Sequence, residues 1–280
     1  AVLGVPQLYP KQIEMAEAVS AHRRVSIVGA NSSGKDFMSG RILLWWLWRW
    51  HSVGEPAKVV VIGPTTRQVA QIVWREAHQA FQEARKALPG RMYPVSAQWQ
   101  IDQETFAVGF ATNDPYSLTG FHSPHLLAII TEAHAVEQSH VDSVKRLNPE
   151  RLLLTGNPFS IAGEFYDSHN SHLDLYHTIA ISAYDTPNII EGRVVIPGLV
   201  TQEDINDRLA EWGEDHPLFQ AGIMGRFPDS MVNTLVAMSK AMEATKRNLE
   251  PGSPVVLGLD VAREGQDKTV AYLRQGNVAR

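Results

Sequence analysis

Gly29-Ala30-Asn31-Ser32-Ser33-Gly34-Lys35-Asp36 is the stretch on which the reading of this chain turns. It follows the apolar run Val25-Ser26-Ile27-Val28 and leads into a helix-like segment from Phe37 onward. Strand, glycine-bounded loop and helix is the context a phosphate-binding P-loop requires. Gly29 and Gly34 let the backbone curl so that the amides from Gly29 through Asp36 point at phosphate oxygens. The helix N-terminus adds a favourable dipole, and Lys35 adds a point charge for the β- and γ-phosphates. The bland alternative, a Gly/Ser turn ahead of an ordinary helix, does not explain these flanks.

The position after the lysine departs from the usual pattern. Most P-loops place Ser or Thr there to bind Mg²⁺, whereas this chain has Asp36. The second half of such a site is an apolar strand ending in acidic residues. Leu126-Leu127-Ala128-Ile129-Ile130, followed by Thr131-Glu132-Ala133-His134, matches it. The customary Mg²⁺-holding Asp is Thr131 here, while Glu132 stands where a water-orienting carboxylate belongs. The two departures read as an exchange, with a carboxylate from the loop and a hydroxyl from the strand still offering hard oxygens to Mg²⁺. The competing reading makes Thr131 a damaging or engineered change that spares nucleotide binding and weakens hydrolysis. The sequence leaves both open.

At 280 residues the chain can bury roughly three quarters of its unfolded surface, room for one large domain or a large and a small one. It has no cysteine, which excludes disulfides and thiolate metal sites and favours an intracellular setting. The densest apolar run, residues 42–48, is far short of the ~20 residues that span a bilayer and is flanked by Arg41 and Arg49. A membrane role is therefore not expected. A net charge of −5 argues against a protein that coats nucleic acid, but not against a motor touching a few phosphates. The basic pairs Arg23-Arg24, Arg85-Lys86 and Lys145-Arg146 read as solvated surface. The chain starts at Ala1 without Met and stops at Arg280 within a strand pair, so we expect a piece of something longer.

Apolar strands alternate with helices through residue 160, which argues for an α/β fold with a parallel sheet covered on both faces. Helices are expected over 11–22, from Thr65 to about 87, and near 136–147, 201–212 and 217–223. Strands are expected at 25–28, 58–63, 126–130, 151–154 and 175–182, with a hairpin from 97–102 and 105–111 and a loop at 113–123. The stretch 224–235, containing Gly225, Pro228, Asp229 and Asn233, reads as a linker, followed by a helix over 236–247. At Pro254 a new pattern begins, with β-like runs 255–260 and 269–273 across a Gly-rich turn.

The order of these features resembles the large terminase subunit of tailed bacteriophages, the motor that pumps DNA into procapsids. Leu8-Tyr9-Pro10-Lys11-Gln12 is similar to that family's adenine-recognition motif, which implies Gln12 bonding the base edge and Tyr9 stacking on it. The P-loop and the 129–134 segment follow in the family's order. Thr155-Gly156-Asn157-Pro158 resembles its coupling motif, which implies that Asn157 senses the γ-phosphate. Residues 258–270 are similar to the first hairpin of the family's RNase H-like nuclease, which implies Asp260 as a first metal ligand. Residues 181–188 and 225–228 are also similar to family patterns.

The resemblance implies a RecA/ASCE-like P-loop ATPase over 1–223, a linker or hinge at 224–253, and the truncated start of the nuclease at 254–280. It implies ATP and Mg²⁺ as cofactors, with Mg²⁺ or Mn²⁺ for the nuclease of a longer protein. Double-stranded DNA, the portal protein and the small terminase subunit are the implied partners, in a homo-oligomeric ring at work in the host cytoplasm. A two-metal nuclease needs several carboxylates around ions about 4 Å apart. Only Asp260 is plainly present, and Asp267 reads as a turn-capping residue, so this chain is expected to cut no DNA. In Ser117-Leu118-Thr119-Gly120-Phe121-His122, Thr119 stands where the family's arginine finger would sit. That leaves Arg146, Arg151, Arg23 and Arg24 as candidates.

His134 reads either as a relay of the phosphate state or as a packing residue. No histidine pair has zinc-like spacing, and His169, His172 and His177 read as surface. The five tryptophans between Trp45 and Trp74 read as core packing rather than base-stacking platforms. Two rival functions remain. A superfamily 2 helicase-like ATPase would need a second RecA-like lobe that residues 160–250 do not supply. A non-hydrolysing nucleotide-binding scaffold is suggested by the two changed metal positions.

Overall fold

The computed structural model describes residues 7–65, 67, 69–84, 88–111, 120–230, 236–262 and 269–279. The chain divides into two units, Ala1–Asn233 and Thr234–Arg280. The first is built on strands β1 (Arg24–Gly29), β2 (Ala57–Ile62), β3 (Arg91–Tyr93), β4 (Gln98–Gln100), β5 (Phe106–Phe110), β6 (His125–Ile130), β7 (Arg151–Gly156) and β8 (His177–Ile181). They form one mostly parallel sheet in the order β3-β4-β5-β2-β6-β7-β1-β8. β5, β2, β6, β7, β1 and β8 pair in parallel, and β3 and β4 add an antiparallel edge.

The period of two along each strand divides the core between the faces of the sheet. Val25, Ile27, Val59, Val61, Leu127 and Ile129 join one cluster, which is completed by α1 (Pro10–Ala21), α2 (Lys35–His51) and α3 (Trp74–Ala84). Val28, Val60, Ile62, Leu126, Ala128 and Ile130 join the other, which includes Val141 and Val144 of α4 (Gln138–Arg146). Both faces are covered, which is why these strands read as continuous apolar runs rather than alternating ones. Trp46 and Trp74 are fully buried, and Trp45, Trp48 and Trp50 pack partly buried on the same cluster, as core tryptophans should.

Several expectations are adjusted. The 97–111 hairpin forms as β4 and β5, but β3 extends it; its three residues are too short to carry a readable period. The chain meets the expected helix start at Thr65, whose carbonyl accepts from the Val69 amide at 3.1 Å, and residues 66 and 68 lie outside the described residues. It then runs through a π-helical turn, Val69–Val73, before α3. α2 begins at Lys35 rather than Phe37. The short α5 (Glu164–Asp167) and α6 (Pro187–Ile190) were not anticipated, whereas α7 (Gln202–Trp212) and α8 (Pro217–Gly222) fall where expected. Thr201 caps α7, accepting from the Asp204 amide at 3.2 Å, and Asp204 answers on the Thr201 amide at 2.9 Å. Arg85, Lys86, residue 112 and residues 113–119 of the predicted loop lie outside the described residues.

The second unit holds α9 (Met238–Thr245) and a three-strand antiparallel sheet of β9 (Val255–Asp260), β10 (Val270–Gln275) and β11 (Val278–Ala279). Its apolar side chains stay open, with Leu257 at 67% and Leu259 at 62% exposure. Among the described residues no helix is long and apolar enough to cross a membrane.

Candidate nucleotide site

Because the six paired strands run parallel, their C-terminal ends gather at one edge of the sheet, where α/β folds place ligands. The P-loop leaves β1 there, Thr131 and Glu132 leave β6, and Asn157 leaves β7. β7 lies between the other two strands. Residues far apart in sequence therefore meet at this edge.

The loop is shaped by Ser32 at φ +50° and Gly34 at φ +78°, where glycine carries no steric penalty. A Cβ at Gly34 would also come within 2.7 Å of Gln12 Nε2, so the Tyr9–Gln12 motif lies directly against the loop. The Tyr9 hydroxyl donates to the Ser33 carbonyl, and Gln12 Oε1 accepts the Tyr9 amide at 3.4 Å. Tyr9 is buried, and burial, then the Asp185 charge, pushes its hydroxyl well above the ordinary tyrosine range. It remains a donor that braces the loop.

Two of the predicted phosphate-facing amides are otherwise engaged. Ala30 donates to the Ile181 carbonyl at 2.7 Å and Asn31 to the Gly222 carbonyl at 2.8 Å. These bonds pin the first half of the loop onto β8 and α8. The amides of Ser32, Ser33, Gly34, Lys35 and Asp36 have no such backbone acceptor among the described residues. The anion cradle is thus the second half of the loop with the first turn of α2.

Lys35 is buried, its ammonium donating to the carbonyls of Ala30 at 2.9 Å and Gly29 at 3.2 Å. Burial pulls its pKa down, against the opposing pull of Asp36 and Glu132. The Thr131 hydroxyl donates to Asp36 Oδ1 at 3.2 Å, bridging 95 residues of sequence. Burial raises the Asp36 pKa, with Lys35 and the Thr131 hydrogen bond resisting. Glu132 is raised first by burial and then by Asp36, with Lys35 resisting. One ammonium and two carboxylates, all largely removed from water, therefore tune one another.

Glu132 adopts the left-handed backbone at φ +49° and brings Oε2 to 3.4 Å from His134 Nδ1. That nitrogen makes no hydrogen bond, and burial, then Lys35, lowers the His134 pKa, keeping the ring neutral at pH 7. Asn157 Nδ2 donates to the Gly29 carbonyl at 2.7 Å, tying the end of β7 to the start of the loop. Sequence reading missed three supports of this site. The Val200 amide donates to the Ser32 carbonyl at 3.1 Å, Asn188 holds the 195–200 turn, and Gly225 packs against Ile181 and Ala30. Asn188 and Gly225 lie in the two stretches that carried the weaker family resemblance.

The candidate arginines sit elsewhere. Arg24 and Arg151 open β1 and β7, so about five residues at ~3.3 Å each separate Arg24 from Gly29. Arg151 holds the carbonyls of Val19 and Ser20, and Arg23 donates to Asn148 Oδ1 at 2.7 Å. Arg146, at the far end of α4, donates to Ser143 Oγ. All four lie at the edge opposite the P-loop and cannot serve this chain's own site. Thr119 lies outside the described residues.

The paired oxygens of Asp36 and Thr131 suit Mg²⁺, which takes one or two protein oxygens and draws the rest from phosphate and water. Among the described residues no group of three or more His, Asp or Glu side chains could hold a metal by itself. Asp260, exposed at the end of β9, therefore does not form a two-metal centre with described neighbours, and Asp267 lies outside them.

No model of a known protein family matches the chain. A probable terminase large subunit from Enterobacteria phage P7 is 30% identical over 168 residues, covering 55% of this chain and 32% of that protein. The match thus spans about a third of the relative's length. The large terminase ATPase domain of Thermus phage P74-26 superposes with a TM-score of 0.57 at 12% identity, covering 81% of this chain and 96% of that one. The large terminase of another thermophilic bacteriophage, in complex with ADP, gives 0.61 at 11% identity, covering 98% of this chain and 66% of that one. At such identities the structural likenesses speak for the fold, and the sequence match speaks for descent. The chain is similar in sequence to a phage large terminase subunit and has the α/β P-loop fold of the phage large terminase ATPase domains.

Proposed function

We propose that this chain is the ATP-hydrolysing part of a viral DNA-packaging motor that drives double-stranded DNA into procapsids. The observation that carries the reading is the meeting of Lys35, the Asp36–Thr131 pair and Glu132 at the mouth of one P-loop. The amides of Ser32 to Asp36 and the Lys35 ammonium hold the triphosphate. Asp36 and Thr131 would hold Mg²⁺, which would supply neutralising charge to the triphosphate. Glu132 orients the attacking water and takes its proton. Its raised pKa makes it a better base than a free carboxylate. Asn157, hydrogen-bonded to the Gly29 carbonyl, passes the phosphate state from the loop to the end of β7.

The same reading makes the portal protein, the small terminase subunit and further copies of this chain in a ring the working partners, in the host cytoplasm. The 254–280 hairpin is then the start of a nuclease whose metal site, Asp260 included, is completed only in a longer protein. The relatives described above support this assignment.

Calorimetry and a phosphate-release assay test it. The unaltered chain should bind ATP with Mg²⁺. Lys35→Ala should abolish turnover, and Glu132→Gln should keep ATP binding while losing turnover by at least about 100-fold. ATP binding unaffected by Lys35→Ala would exclude the site. Thr131→Asp separates the two readings of the exchanged ligands: a gain of several orders of magnitude in turnover would sink the exchange.

A further inference from the structure

We propose that Arg75 is the arginine serving this chain's own phosphate site, reaching the terminal phosphate in cis; the inference rests on the nucleotide reading above. The arginines nominated from the sequence lie at the opposite sheet edge, so an arginine acting in cis would come from another element. Arg75 is the second residue of α3, directly after the π-helical turn Val69–Val73. Such turns are rare and recur at functional sites. α2 and α3 both descend from the edge that holds the P-loop, and they touch at Gly40. A Cβ there would lie 2.7 Å from the Ala77 amide nitrogen and 3.1 Å from Glu76 Cβ.

Asp36 stands one turn above Gly40 on α2, and Arg75 stands two residues above Ala77 on α3, so both lie on the phosphate side of the crossing. Glu76 faces the same crossing and takes Arg41 at 3.6 Å. Arg75 is 73% exposed, and its ion-pair partner among the described residues is adjacent Glu76 at 3.3 Å. Arg41 also neutralises the largely buried Glu76 carboxylate, so the exposed guanidinium can exchange Glu76 for a phosphate without leaving that carboxylate unpaired. Asp36 already feels the Arg75 charge, which partly offsets the upward push of burial on its carboxyl. The bland alternative is an ordinary surface pair on a helix.

The test uses the 280-residue chain, with ADP and ADP plus aluminium fluoride as probes, the latter imitating the transferring phosphoryl group. Arg75→Ala places a good helix former at an exposed position, so the fold should persist. It should bind ADP within about twofold of the unaltered chain, lose at least about 30-fold in affinity for the fluoride complex, and slow single-turnover hydrolysis by at least about 100-fold. Added guanidinium ion should restore part of the rate, and Arg75→Lys should recover less, since it lacks the planar fork. A rate and a fluoride affinity within about threefold of the unaltered chain would overturn the Arg75 assignment alone. Equal losses for ADP and its fluoride complex would mark structural damage and overturn it too. An unaltered chain that does not bind ADP would overturn the nucleotide reading itself, and Arg75 with it.

Discussion

Glu132 shows what a single position carries that its letter does not. The P-loop and the carboxylate after the apolar strand were legible because both are local patterns. The left-handed backbone and the raised pKa of Glu132 were not, since surrounding atoms impose them. Such a backbone costs about 1–3 kcal/mol in a non-glycine residue, and the frame sustains it through the Thr131 amide on Ile62 and the Ala135 amide on Glu132. As the water-activating base, Glu132 works only when deprotonated. Because burial raises its pKa, kcat/KM should fall as pH drops through a value above the ordinary glutamate range. A profile that falls only within or below the ordinary glutamate range, or one unchanged in Glu132→Gln, would remove it from that role. Gly225 is a second case: at φ +64°, a Cβ would fall 2.1 Å from the Ile181 carbonyl oxygen and 2.9 Å from the Ala30 nitrogen. Gly225→Ala should destabilise the fold by about 3 kcal/mol or more and weaken nucleotide binding in step, as thermal melts with and without ADP would register.

At the scale of elements, regular periods were readable and exceptions were not. The Thr201 cap and the 97–111 hairpin follow local chemistry, whereas the π-helical turn and three-residue β3 leave no periodic trace. The turn under the P-loop depends on one side chain. Asn188 Oδ1 accepts the amides of Val195 at 2.8 Å and Ile196 at 2.9 Å, while Nδ2 donates to the carbonyls of Ile196, Leu199 and Val200. Asn188→Ala leaves these groups unpaired and should cost about 2–4 kcal/mol by urea denaturation. Glu164, at the start of α5, is raised by burial, but hydrogen bonds from Tyr176 at 2.7 Å and Lys145 at 3.1 Å, with the Lys145 charge, bring its pKa below the ordinary value. A depressed carboxylate stabilises the fold above its unfolded pKa, and that contribution is lost as pH falls through the folded one. The stability gap between the unaltered chain and Glu164→Gln should therefore be about 1–3 kcal/mol at pH 7 and close as pH falls below 4.5. A gap that does not narrow at all as pH falls below the ordinary glutamate range would count against the ion-paired role.

For the whole molecule, the two units should differ in independence. Residues 1–233 enclose three buried clusters, whereas the 234–280 sheet keeps its apolar side chains exposed. A three-strand sheet without a covered face is marginal at best. The 1–233 fragment should melt cooperatively and bind ADP like the full chain, while 234–280 alone should show no protected amides in hydrogen exchange. The sequence by itself determined the strand–loop–helix of the P-loop, the acid-ended strand, the α/β class and the order of motifs. Backbone propensity and a period of two act over a few residues and leave their record there. Only the tertiary structure decided that Thr131 bonds Asp36, that Asn157 holds Gly29, that Ala30 and Asn31 spend their amides on Ile181 and Gly222, and that four arginines face the wrong edge. Those outcomes depend on strand order and direction and on which charges lose their water, and both are set by contacts between segments that no local pattern links.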